Sequence, residues 1–97
     1  MADNLIYIVF NNALEPEILD ILKKINVKAY TRWDRVKGVG QTGPHMGNEV
    51  WPAWNTMIMS ALDSNKKEAL AEEIRKLREE FPDQGVKMLV LPFEEMV

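Results

Sequence analysis

Apolar and polar positions along this chain change period several times, and each change predicts an element. Leu5 to Phe10 is apolar without a break, with Leu5, Tyr7 and Val9 toward one side and Ile6, Ile8 and Phe10 toward the other. A run of that kind predicts a strand buried on both faces. From Glu15 to about Ile25 the period lengthens. Ile18, Leu22 and Ile25, with Leu19 and Ile21 beside them, form a helical stripe. Pro16 suits the first turn of a helix, where its missing N–H costs nothing. Glu15, Glu17 and Asp20 precede Lys23 and Lys24, an order that complements the helix dipole. Lys28 to Val36 is rich in strand formers, although its alternation is poor. Gly38 to Asn48 reads as a loop on composition, and Asn55 to Ala61 as a third strand. Leu70, Ile74, Leu77 and Phe81 then repeat at helical spacing behind Asp63, Ser64 or Asn65 as cap. Glu72 with Lys76, and Arg75 with Glu79, are spaced as i,i+4 ion pairs on its outer side. Pro82 to Gly85 ends that helix, and Val86 to Leu91 is a last strand bounded by Pro92.

The order β-α-β-β-α-β predicts an α+β fold of the ferredoxin-like kind, a four-stranded antiparallel sheet with two helices on one face. The strands are apolar on both sides, however. Met57, Met59 and Ala61 oppose Thr56 and Ile58, and Val86, Met88 and Val90 oppose Leu89 and Leu91. Two helices cover one face only, so the other needs a cover, and a second copy of the chain is the simplest one. The pattern therefore predicts a homo-oligomer with sheets facing each other.

Composition narrows the function. Residues 1–97 have the length of a single domain, with a thin core. With no cysteine there is no disulfide framework, thiol nucleophile or thiolate metal site, and one histidine cannot build a multi-histidine centre within one chain. The net charge of −3 argues against a nucleic-acid partner. No apolar run is long enough for membrane insertion, and Met1 to Asn4 lacks the basic region of a signal peptide. These features predict a cytoplasmic protein. Charge is uneven, with a basic middle (Lys28, Arg32, Arg35, Lys37 against Asp34, Glu49) between acidic ends. That middle also holds His45 and all three tryptophans. It is either the functional region or a solvated strand face.

Within it, Gly38-Val39-Gly40 resembles part of a phosphate loop but lacks the third glycine and the helix behind it. Those glycines otherwise let a hairpin bend. His45 could join Glu49, or copies of itself from neighbouring subunits, as a metal ligand; otherwise it is a surface residue. Trp51 and Trp54 flank Pro52 and Ala53 and could stack on a purine, or pack at a subunit interface. No nucleophile with a base and no acid–base couple in a pocket is evident, so no enzyme is expected, and no cofactor is specified.

Trp33-Asp34-Arg35-Val36-Lys37-Gly38-Val39-Gly40-Gln41 resembles the end of strand two and the base of the T-loop in PII nitrogen-regulatory proteins, where the pattern is Val-Lys-Gly-Phe-Gly-x-Gln. The likeness spans nearly the whole chain and implies a PII-like trimer in nitrogen-type signal transduction. It implies a small effector, such as an adenine nucleotide or another anion, bound in clefts between subunits. Arg35, Lys37, Gly38, Gly40, Gln41 and Thr42 would line the cleft, and Lys87 would approach from the neighbouring chain. A partner protein would dock on the 41–54 loop. The chain departs from the pattern in three places. The span from Gln41 to Ala53 is shorter than a T-loop. The nucleotide-clamping B-loop is reduced to Pro82–Lys87, and the C-terminal arginines of the family have no counterpart before Val97. Ungapped, Thr42 stands where the family has its ligand-binding Gln, and Gln41 does so only with a one-residue shift. A more distant likeness to CutA implies, as the alternative, a trimer responsive to divalent metal through His45; a structural assembly module without ligand is the other.

Overall fold

The computed structural model describes residues 2–40, 43–45 and 54–97. Strand β1 is Asn4–Asn11, and a single 3-10 turn, Asn12–Leu14, leads into helix α1, Glu15–Lys24. Strand β2 is Thr31–Val36, followed by the short strands β3, Gly38–Gly40, and β4, Gly43–His45. Strand β5 is Asn55–Leu62, helix α2 is Ser64–Glu80, and strand β6 is Val86–Pro92. The main sheet has the order β2-β5-β1-β6, and every neighbouring pair is antiparallel. The βαββαβ frame is therefore the expected one, with a small two-stranded ladder added.

The α1 start rests on Pro16 and on Glu15 and Glu17, since no side chain caps it. One step earlier, the Asn11 side chain accepts from the Ala13 N–H at 2.9 Å and fixes the 3-10 turn. At the far end Asn26 lies at φ 63°, the left-handed position that follows many helices and that Asn tolerates. Asp63 caps α2 by accepting from the Lys66 N–H at 2.8 Å.

Both helices lie on the same face of the sheet. Ile6, Ile8 and Phe10 of β1 pack with Ile58 and Leu62 of β5, Val86 of β6, Ile18, Ile21 and Leu22 of α1, and Leu70, Ile74 and Leu77 of α2. Phe81 closes the stripe from a half-buried position. Truncating Phe10 to alanine would cost about 3–5 kcal/mol, a large part of the margin of so small a fold.

The structure corrects three expectations. Strand β2 begins at Thr31 rather than Lys28: its pairing with β5 starts at Thr31 opposite Met59, and just before it the Ala29 carbonyl accepts from the Ser60 hydroxyl at 2.7 Å. The stretch after Val36 is not wholly loop: Gly38 pairs with His45, Val39 with Pro44 and Gly40 with Gly43. Composition missed this ladder because Gly and Pro are poor strand formers. In a two-stranded ladder both strands are edges, so Pro44 can turn its missing N–H outward. On α2, besides the neighbouring pair Lys67–Glu68, ion pairs form between Glu72 and Arg75 at 3.6 Å and between Glu73 and Lys76 at 4.0 Å, one residue closer than the expected i,i+4 spacing. Glu73 is drawn inward, where Lys24 of α1 also reaches it.

Candidate functional site

The sheet face turned away from the helices is apolar. Leu5, Tyr7 and Val9 stand beside Ala61, Met59 and Met57, and on the other side beside Leu91, Leu89 and Lys87. Trp33 extends the row through Met57. Leu89, Leu91 and Trp33 are 49%, 44% and 39% exposed, high for such side chains.

One end of this face carries the hairpin base. The β2–β5 register shifts between Trp33 and Val36, and inside that bulge Arg35 lies at φ 57°, where a side chain is strained. The bulge turns the chain from the main sheet into the small ladder. Lys37 follows, and its Nζ sits 5.5 Å from the centre of the Trp54 ring. Gly38 comes next, against Asn55: a Cβ here would lie 2.9 Å from Asn55 Nδ2. Trp54 is tied in turn, its carbonyl accepting from the Asn12 N–H at 2.8 Å. The Asn11 N–H donates to the Gly85 carbonyl at 2.8 Å, so the turn before β6 belongs to the same end.

Of the expected site residues, Arg35, Lys37, Gly38, Gly40 and Trp54 are thus gathered at the hairpin or its base. Gln41, Thr42, Glu49 and Trp51 lie outside the described residues, as does the His45 side chain. Lys87 stands at the same end of the sheet but on its opposite edge. Strands β2 and β6 are three strand spacings apart, or about 14 Å. One copy therefore does not bring Lys87 to the hairpin base. Sequence reasoning missed Asn11 and Asn55, which face each other across β1 and β5 as the polar end of an otherwise apolar surface. Their signal was faint: an Asn at the end of one strand and another at the start of its partner.

Arg32, also counted in the basic middle, is committed elsewhere. Its guanidinium donates to Asp34 at 2.7 Å and pairs with Glu15 at the start of α1. The Asp34 hydrogen bond, against some burial and with the Glu15 charge, raises its pKa further above the ordinary arginine value. Two shallow cavities of about 320 and 380 Å³ lie at the other end of the molecule, around Asn26, Val27 and Lys28. Among the described residues, no group of three or more His, Asp or Glu could hold a metal, and no helix is long and apolar enough to cross a membrane.

Comparison with known proteins completes the picture. The fold is similar to that of CPII from Thiomonas intermedia K12 bound to ADP and bicarbonate, with 20% identity, 96% of this chain and 87% of that chain covered, and a TM-score of 0.77. A second structure of that nitrogen regulatory PII-like protein, bound to ADP, AMP and bicarbonate, gives 20% identity, 96% and 89% coverage and a TM-score of 0.75. A chain from Thermus thermophilus, named as a PII-like signaling protein, gives 21% identity, 96% and 88% coverage and a TM-score of 0.61. No curated protein matches the sequence. The family model of nitrogen regulatory protein P-II matches residues 3–97. With that match over nearly all of its length, the chain belongs to the nitrogen regulatory protein P-II family.

Proposed function

We propose that this chain is a regulatory, non-catalytic subunit. It assembles into a cytoplasmic trimer and binds a small anionic effector of the adenine-nucleotide class in the clefts between copies. The observation that carries this reading is the division of the basic groups between opposite sheet edges at one end of an exposed apolar face. Packing copies through that face buries Leu89, Leu91 and Trp33 and brings Lys87 of one copy toward the hairpin base of the next. Arg35 and Lys37 then supply charge, and Gly38, Gly40, Gln41 and Thr42 supply backbone and polar groups. Lys87 adds a point charge from across the cleft. The ADP and AMP bound to the structurally similar CPII support a nucleotide as the anion. Residues 41–54 are the surface through which a partner protein would sense occupancy.

Isothermal titration with ADP, AMP and bicarbonate, run beside light scattering, tests the reading. Heat from a nucleotide and a mass of three chains are expected. No heat from any of the three at millimolar ligand sinks the effector assignment, and a monomeric mass sinks the cleft.

A further inference from the structure

We infer that Trp54 is a positioning residue for the anion site: its indole seats the Lys37 ammonium at the hairpin base before ligand arrives. This rests on the anion-binding reading above. The Lys37 Nζ lies 5.5 Å from the ring centre, inside the roughly 6 Å range over which an indole face attracts a cation. The backbone that carries the ring is anchored on both sides. Trp54 is held through its carbonyl by the Asn12 N–H at 2.8 Å, and the next residue, Asn55, is laddered to both Asn11 and Val36. Lys37, by contrast, is an exposed side chain on a long flexible stem, just beyond the strained bulge at Arg35.

Such a stem loses rotamer freedom when a ligand fixes it. A ring that already restrains the ammonium removes part of that loss from the binding step, which is preorganisation in the ordinary sense. An ammonium has three donors and a ring face is on one side only, so hydrogens remain for an incoming phosphate or carboxylate oxygen. Several other cations are engaged with oxygens of their own chain: Arg32 with Asp34, Lys24 with Glu73, Lys66 with the Asn26 carbonyl and Lys67 with Glu68. Lys37 is the cation seen over an aromatic ring among the described residues.

The test is ADP titration calorimetry on the full chain and four variants: Trp54→Leu, Trp54→Phe, Lys37→Met and the double Trp54→Leu/Lys37→Met. Trp54→Leu keeps apolar bulk and removes the ring, and is expected to weaken binding about two- to fivefold. Trp54→Phe keeps an aromatic face and should stay within about twofold of the parent. The double variant should bind no more weakly than Lys37→Met, because the two residues act as one unit. Lys37→Met changes an exposed side chain and so probes the pair without disturbing the sheet. If Trp54→Leu binds like the parent, if Trp54→Phe falls as far as Trp54→Leu, or if the two losses add, the positioning role is overturned while the effector reading stands. If the parent itself gives no heat, the effector reading falls, and this role with it.

Discussion

Lys24 near the end of α1 donates to Glu73 in the middle of α2 at 2.8 Å, joining the two helices that cover the sheet. The Lys24 hydrogen bond holds the Glu73 carboxyl below its ordinary pKa. Burial opposes the shift, and the charges of Lys24 and Lys76 add to it. A carboxylate depressed in the folded state contributes stability above its unfolded pKa and loses it as pH falls through the folded one. Glu73→Gln should therefore lower stability by less than about 1 kcal/mol at pH 7, as Lys24 is mostly exposed. Urea denaturation of both proteins should show the difference shrinking once the pH drops below about 4. A difference that persists undiminished in acid would contradict this.

The Ser60 hydroxyl carries a different kind of load. It satisfies the Ala29 carbonyl at 2.7 Å, where no ladder partner reaches. Ser60→Ala should cost about 0.5–1.5 kcal/mol. The loss should be local, with faster amide exchange at Thr31 to Trp33 than in the β1–β5 core. Uniform acceleration across the sheet would count against it.

Arg35 sits at φ 57°, a conformation costing a residue with a side chain about 1–2 kcal/mol. Glycine relieves this but gives back part of it through the unfolded chain. Arg35→Gly should thus raise stability by up to about 1 kcal/mol and, if Arg35 lines the proposed anion site, weaken ADP binding through the lost charge. Arg35→Val, β-branched at the same φ, should lower stability. Thermal melts and calorimetry on the two variants check both halves, and equal melts for Gly and Val would refute the strain.

How far the sequence carried this picture depends on the kind of interaction. Elements with a long clean period, such as Leu70–Ile74–Leu77 and Ile6–Ile8–Phe10, were legible because burial alone dictates them. The second apolar face was legible for the same reason, through Leu89 and Leu91. The β3–β4 ladder was not, since register in a Gly-Pro segment is set by chain closure and not by side chains. The start of β2 was not legible, because it is set by long-range pairing with β5, which begins at Thr31 opposite Met59. At the candidate site, the motif Val36 to Gly40 marks the segment that forms the hairpin base. The ring above Lys37 was invisible, because Lys37 and Trp54 meet only when the hairpin closes.

The exposed apolar face makes one further prediction. Leu89 is 49% exposed in a single copy, so a charge there meets water in the monomer but an apolar neighbour in the proposed trimer. Leu89→Asp should shift the light-scattering mass from three chains to one and leave the far-ultraviolet circular dichroism of the fold in place. An unchanged mass would mean that the copies meet elsewhere.

The strand order has a consequence for signalling as well as for architecture. Strands β2 and β6 lie at opposite edges of the sheet, so under the proposed arrangement each copy would offer half a cleft on either flank and a whole cleft on neither. In the proposed assembly, complete sites therefore count contacts, not chains. A closed ring has one site per copy, whereas an open pair has a single site for two. Chains carrying Lys37→Met, mixed with chains carrying Lys87→Met, would recover some intact sites that neither possesses alone. Dilution would erase sites without altering a residue, so the abundance of the protein becomes an input to the message it carries.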